Sequence, residues 1–520
     1  MPSTDPTGTG GRADTAEPLR PAGDVAADEA ADDAGSAHQS ALFGRGLLYV
    51  LVFSLQTVAA TVVSPVLAHL VGPNQFGELA SAIALFQLLS VLAVLGLDQA
   101  VVLQWSADGD SHHARGLLVV CVVVAAVVVG VIALLGPWWA AAFGFGSFSP
   151  LLVATLLWTF FGAIVQAMLA LLLAQDRLNV FSVVSGLAAV GGQVFGIVFL
   201  LVGSNTAVTY AWGGVLSQFL ALGIGLAATR PRVAGLTQLR LARHAISLGL
   251  PLAVGNMATF ILNAGDRIII QRLLGAAEVG RYQIAYVIGY LGIMLLAFTN
   301  QAWTARFASI ADVDERLALV QHSRDNLYRL LLPMILATTL AAPLGLRIIA
   351  PATFRPAGLA EVVLLVTLAA LPVAACGASG RELFALRRGR SIAVATMTAA
   401  AVNVGLNFLL VPRIGLPGAA LATLVAYGAQ AVLQLRALPR TPRWPSAPGR
   451  LWAGVALVCG LAAASTALPE SAPWLVARTA LAAACLPWFL ARLSVARGGS
   501  LPGWATALAR PLTAAGRRTS

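Results

Sequence analysis

Lysine does not occur in these 520 residues, and all 33 basic positions are arginine. Charge of either sign is scarce, at 11% of the chain against about 25% in soluble domains. A water-exposed surface cannot be built from so little charge, which excludes a soluble enzyme. The net charge of +11 does not point to a nucleic-acid partner, because the arginines are placed as membrane topology (below). Cysteine is limited to Cys121, Cys376, Cys459 and Cys485. Each sits in an apolar run, and no pair has disulfide-loop or metal-site spacing, so they read as small core residues. A Walker motif is also missing, and no metal, nucleotide or other cofactor is expected. What is plentiful is apolar surface, with 58% hydrophobic residues and a mean hydropathy of +0.82. The chain is therefore an integral membrane protein.

A helix needs about 20 apolar residues to cross a bilayer. Fourteen such spans are predicted: 47–70, 79–97, 117–136, 150–173, 181–203, 207–228, 247–274, 283–304, 328–350, 358–380, 392–411, 416–435, 451–468 and 473–491. The runs lack the polar–apolar alternation of a barrel, so the fold class is all-α. Residues 1–40 are different material, with eight acids, two arginines and almost no large apolar side chains. They predict a disordered acidic tail, and they lack the basic start and short apolar core of a signal peptide.

Orientation follows from arginine. With the N-terminus inside, 26 arginines fall in cytoplasmic segments and 7 on the other side. Both termini are then expected to be cytoplasmic in a bacterial inner membrane. The inside loop 305–327 has the composition of a short interfacial helix, with Leu317, Leu319 and Val320 beside Asp314, Glu315, Arg316 and Arg324. The outside connections are all short, with no room for a catalytic loop.

The chain also repeats itself. Gly72-Pro73-Asn74-Gln75-Phe76-Gly77 follows the first span, and Gly275-Ala276-Ala277-Glu278-Val279-Gly280 follows the seventh. Ala82 and Ala285 correspond at the same offset, and Gln99-Ala100 matches Gln301-Ala302 at nearly the same one. Six spans separate the copies, so both enter the membrane in the same direction and make parallel repeats. The expected architecture is an N-lobe of helices 1–6 over 41–235 and a C-lobe of helices 7–12 over 236–437. A terminal helix pair over 438–495 and a basic cytoplasmic tail over 496–520 follow.

Three stretches resemble the Wzx-type oligosaccharide flippases of the polysaccharide transporter family. They are Leu70 to Gly96, Leu248 to Tyr286 (with Pro251, Asp266-Arg267, Gly280 and Tyr282) and Asn403 to Ala422 (with Asn407, Val411-Pro412 and Gly418-Ala419-Ala420). The resemblance implies a fourteen-helix fold. It also implies transfer of a polyprenyl-diphosphate-linked oligosaccharide between leaflets by alternating access, with lipid-linked oligosaccharide and membrane lipids as partners. The expected driving force is a proton or sodium gradient, or the substrate's own concentration. The wider superfamily contains MATE-type multidrug/cation antiporters, which is the alternative reading; a membrane-embedded glycan polymerase or ligase is a further one. Span one carries no carboxylate, whereas such antiporters typically depend on an acid there.

A diphosphate crossing hydrocarbon needs cationic and hydrogen-bonding partners. Asn256, Asn263, Arg267 and Gln271 are spaced 7, 4 and 4 apart, one stripe of span seven, and Asp266 borders it. A charge within a span costs about 2.5–3.5 kcal/mol on insertion scales, which marks Arg267 and Asp266 as functional candidates. Arg267 is expected to contact the diphosphate or a charged sugar, with Asp266 balancing it or carrying a coupling proton. Snorkelling at the interface is the competing structural reading. Gln283, Tyr286 and Tyr290 on span eight are expected to line the same cavity, or to be ordinary interfacial aromatics. Asn403 and Asn407 on span eleven are either cavity residues or interhelical hydrogen-bonding groups.

Overall fold

A computed structural model describes residues 59, 61–108, 111–233, 237–297, 299, 307, 310, 312–441 and 444–496. The expected tail over 1–40, most of the first span and all but the first residue of the expected C-terminal tail over 496–520 lie outside them. The described chain is helical in the order α1 (Thr61–Leu70), α2 (Pro73–Val94), α3 (Leu97–Asp108), α4 (Ser111–Leu134), α5 (Gly136–Ala142), α6 (Pro150–Ala174), α7 (Leu178–Gly186), α8 (Gly192–Val202), α9 (Ala207–Thr229) and α10 (Leu239–Leu274). It continues with α11 (Ala276–Gly289), α12 (Leu291–Ala297), α13 (Val313–Ile349), α14 (Ala360–Leu368), α15 (Ala370–Ala385), α16 (Gly389–Ile414), α17 (Leu416–Ala437), α18 (Gly449–Thr466) and α19 (Ala472–Ala496).

Among the described residues twelve helices are long and apolar enough to cross a membrane. The pair α11–α12, bent by 55°, makes a thirteenth when taken as one broken span. These thirteen correspond one for one to the expected spans from 79–97 onward. Of the expected span 47–70, only α1 is fully described. The protein is a multi-pass membrane protein, and its outward faces are accordingly apolar, as at Leu201, Val202 and Leu481.

Helix starts follow local chemistry. Pro73 and Pro150 open α2 and α6, where a missing N–H costs nothing. The Asp312 carboxylate caps α13 by accepting from the Asp314 N–H at 3.0 Å. Gly275, at φ +92°, makes the sharp turn between α10 and α11 that a residue with a Cβ would resist. A π-turn over Leu187–Gly191 joins α7 to α8. Its loosened carbonyls are satisfied from α9, with Ser217 Oγ donating to the Leu187 carbonyl at 2.6 Å and Gln218 Nε2 to that of Ala188 at 3.4 Å.

One expectation is corrected. The segment 313–327 is not a separate interfacial helix but the first four turns of α13, continuous through Ile349. Ion pairing is the physical reason. Arg316 meets Glu382 of α15 at 2.9 Å with both side chains buried, and Arg324 meets Asp325 at 2.8 Å while donating to the Pro445 carbonyl. These charges are neutralised inside the protein and need not lie on the membrane surface.

The two copies of the glycine repeat pack on each other. A Cβ at Gly77 of α2 would lie 1.7 Å from the Ala276 carbonyl oxygen of α11, and one at Gly280 would lie 2.3 Å from the Pro73 carbonyl oxygen. Around this crossing Phe76, Leu79, Val279, Tyr282, Ile284 and Phe354 are buried in one apolar cluster. The C-terminal helices α18 and α19 pack chiefly on α13.

Candidate functional site

The polar residues of α10 lie where α10, α11 and α17 meet. Asp266 is 1% exposed and Arg267 6% exposed, so neither snorkels to an interface. Arg267 Nη1 donates to Asp266 Oδ1 at 2.7 Å and to the Asn263 carbonyl at 2.8 Å, and Nε donates to Gln283 Oε1 at 3.0 Å. Asp266 Oδ1 also accepts from the Arg267 backbone N–H at 3.0 Å. Its second oxygen accepts from the Tyr282 hydroxyl at 2.5 Å. The carboxylate is thus met by three donors, one of them the guanidinium cation, which is what a buried anion requires.

Aromatic rings close the site on the α11 side. The Arg267 guanidinium lies 4.0 Å from the Tyr286 ring centroid and 5.7 Å from that of Tyr282. Tyr286 stacks on Tyr290 at 5.2 Å and 22°. From α17, the Tyr427 hydroxyl donates to Asn263 Oδ1, while the Tyr286 hydroxyl donates to the Asn263 carbonyl at 3.3 Å. Asn263 therefore joins all three helices. Arg267 Nη2 has no acceptor among the described residues and is the one donor of this guanidinium left for something else.

Six of the ten candidate residues are brought together: Asn263, Asp266, Arg267, Gln283, Tyr286 and Tyr290. The other four lie elsewhere. Asn256 is exposed two turns back along α10. Gln271 turns the opposite way, its Oε1 accepting from Ser81 Oγ of α2 at 3.1 Å and its Nε2 donating to the Gly144 carbonyl at 3.2 Å. Asn403 and Asn407 are fully buried between α16 and α17. There Asn403 Nδ2 donates to Thr423 Oγ1 at 3.1 Å, and Asn407 Nδ2 to Asn403 Oδ1 at 3.1 Å. Asn403 thus bonds a neighbouring helix, whereas Asn407 donates only within α16 and its Oδ1 is buried with no hydrogen-bond partner among the described residues. Tyr282 and Tyr427 are members of the site that the polar stripe alone does not indicate. Among the described residues no group of three or more His, Cys, Asp or Glu could hold a metal ion.

Comparison with known proteins follows this geometry. The polysaccharide biosynthesis protein family matches residues 43–310, just over half of the chain and the segment that contains α10 and α11. The chain belongs to this family. None of the curated proteins matches it. Among solved structures, the fold is similar to the lipid II flippase MurJ in an inward closed conformation, with a TM-score of 0.65 at 13% identity over 86% of this chain and 98% of that one. It is also similar to a multidrug resistance MATE family transporter of the MOP superfamily. The inward-facing form gives a TM-score of 0.55 at 14% identity, covering 78% of this chain and 95% of that one. The outward-facing form gives 0.51 at 14% identity, covering 80% and 96%. At such identities the likeness establishes a shared fold.

Proposed function

We propose that this polysaccharide biosynthesis protein is a flippase for a polyprenyl-diphosphate-linked oligosaccharide. It carries the headgroup from the inner to the outer leaflet of a bacterial inner membrane, with both termini cytoplasmic. The observation that carries this reading is the buried Arg267–Asp266 pair under a ladder of tyrosines. Arg267 supplies a fixed cation with one free N–H edge for a diphosphate oxygen. The faces of Tyr286 and Tyr290 and the Gln283 amide suit a sugar ring, which needs flat apolar contact and hydrogen bonds together. Asp266 keeps the empty site neutral, so the resting protein has no uncompensated ion in hydrocarbon. When a diphosphate arrives, it competes with Asp266 for the guanidinium. The displaced carboxylate then takes up a proton or a sodium ion, or remains on Tyr282.

No covalent bond is broken in such a cycle. The protein supplies a polar path and the gradient or the substrate supplies the drive. The arginine-rich connections at one end of the helices support the proposed orientation. The lipid II flippase and the MATE transporter named above support a choice between lipid-linked and drug-like cargo, and the family match favours the former.

The test is export in a strain whose chromosomal copy is deleted. Accumulation of polyprenyl-linked glycan on the cytoplasmic side, relieved by the wild-type gene and not by an Arg267→Ala gene at equal protein level, is the expected result. Normal surface glycan with altered drug susceptibility in the deletion would replace this reading with the antiporter.

A further inference from the structure

The terminal helix pair carries a buried arginine with no carboxylate in contact among the described residues. Arg478 lies in the second turn of α19 and is 1% exposed. It makes one hydrogen bond, from Nη1 to the Leu468 carbonyl at 3.4 Å. Its Nε and Nη2 are buried and have no acceptor among the described residues. Side chains on a helix lean towards its N-terminus. The bond to Leu468 shows that this guanidinium reaches back past the first turn of α19 into the loop over 467–471. Arg267, Arg316 and Arg324 are also buried, and each has a carboxylate within 2.9 Å. Arg478 has none, although a buried cation ordinarily needs one.

The surroundings add to the positive charge. The first-turn N–H groups of α19 have no partner inside the helix, and the helix dipole makes that end positive. Arg347, in the last turn of α13, donates through Nη2 to the Glu470 carbonyl at 3.2 Å and to its carboxylate at 3.1 Å. Glu470 is thereby engaged by Arg347 and acts on Arg478 only through space. Two arginines and a helix N-terminus thus converge on a loop that holds one carboxylate. Trp474, exposed in the first turn of α19, marks the headgroup level of the bilayer. Arg478 lies about 6 Å deeper, at 1.5 Å per helical residue. Val476 and Leu481 are exposed to hydrocarbon on the same helix. The loop that meets the guanidinium is thin, with Ala467, Pro469 and Ser471 all exposed.

We propose that Arg478 and the N-terminus of α19 form a phosphate site, filled from the bilayer by an anionic phospholipid. Nε and Nη2 are the two donors along one edge of the guanidinium, the fork that grips a phosphate with two parallel bonds. The headgroup displaces loop residues to reach this edge, and the acyl chains lie along Val476 and Leu481. The lipid is a resident ligand and not cargo. It sits on helices that pack on α13, whereas Arg267 is on α10, which packs chiefly on α2, α11 and α16.

The experiment uses the full chain, stripped of lipid in detergent. Thermal midpoints are read with phosphatidylglycerol, with diacylglycerol of the same chains, and with inorganic phosphate. Native mass spectrometry counts the phosphatidylglycerol retained. Phosphatidylglycerol is expected to raise the wild-type midpoint more than that of Arg478→Met, and diacylglycerol to raise neither. The wild type should retain one more phosphatidylglycerol than Arg478→Met. Without lipid, Arg478→Met should melt at or above the wild type, because an unpaired buried charge has been removed. An equal rise with inorganic phosphate, lost in Arg478→Met, keeps the phosphate site and overturns the lipid as its source. The whole proposal is overturned if phosphatidylglycerol raises both proteins equally. It is also overturned if Arg478→Met melts below the wild type by the same amount with and without lipid. If Arg478→Met does not give a monodisperse protein, Glu470→Gln decides. Loss of that carboxylate should increase phosphatidylglycerol retention, and unchanged or lower retention overturns the proposal. Glycan export is not read, so the flippase assignment and this site stand or fall separately.

Discussion

Removing the charge of Asp266 is the sharpest perturbation of the candidate site. Asp266→Asn is nearly isosteric, so the packing of α10 against α11 stays as it is while the buried Arg267 loses its counter-charge. Breaking a buried ion pair from one side costs about 3–5 kcal/mol, because the remaining ion is left in a low-dielectric interior. Tyr282→Phe removes a single hydrogen bond to a charged acceptor, made at 2.5 Å, and should cost about 1.5–3 kcal/mol. Tyr286→Phe removes a longer bond to a neutral carbonyl, at 3.3 Å, and keeps the ring under the guanidinium, so about 0.5–1.5 kcal/mol is expected. The predicted order of thermal midpoints, read by size-exclusion after heating the detergent-purified protein, is wild type, Tyr286→Phe, Tyr282→Phe, Asp266→Asn. The double variant Asp266→Asn/Arg267→Gln removes both charges and should melt above Asp266→Asn alone, because contacting charges do not act additively. An Asp266→Asn protein as stable as wild type, or a double variant that falls by the sum of the single effects, would refute the claim that this pair is desolvated and mutually dependent.

Two further outcomes follow from burial. Asn403→Ala should lower stability by about 0.6 kcal/mol, and by no more than about 1.7, the range of interhelical hydrogen bonds in membranes; export should persist, and its loss at normal protein level would return Asn403 to the transport path. Arg316→Ala, which strands the buried Glu382, should reduce the yield of folded protein, whereas Arg347→Ala breaks a pair with side chains 43% and 30% exposed and should leave the melting midpoint unmoved.

Much of the fold is legible in hydropathy alone. Thirteen expected spans reappear as helices or helix pairs because hydrocarbon admits few alternatives to a helix with its backbone bonded internally. Interruptions inside spans are less legible. The π-turn in α7–α8 and the bend between α11 and α12 depend on donors and packing from other helices, such as Ser217. The α13 start was obscured because a charged segment reads as surface unless its partner is known, and Glu382 lies 66 residues away. In the site, Asp266 and Arg267 stand out because charge within a span is expensive. Tyr282 was within reach, since it precedes Tyr286 by four residues as Tyr286 precedes Tyr290. Tyr427 carried no local signal, and only the fold brings its hydroxyl to Asn263. Gln271 shows the limit of a stripe argument, because side chains four residues apart share a helix face without sharing a neighbour. Arg267 turns to α11, while Gln271, one turn on, turns to α2.

The repeat explains why these features sit on one helix. A duplicated glycine turn places a small residue at the same position after the first and the seventh spans. In the fold, Gly77 and Gly280 of these two segments abut each other's backbones. That contact is self-complementary, since each glycine abuts the backbone that carries the other. The ionic site lacks this symmetry. Asp266 and Arg267 precede Gly275 by nine and eight residues, and the corresponding positions before Gly72 are Val63 and Ser64. The first segment is therefore uncharged where the second carries an ion pair, so under the proposed function an anionic headgroup meets charge from α10 alone. That helix, α10, also carries the Gln271 bridge to Ser81 of α2 and the close backbone approach at Gly249.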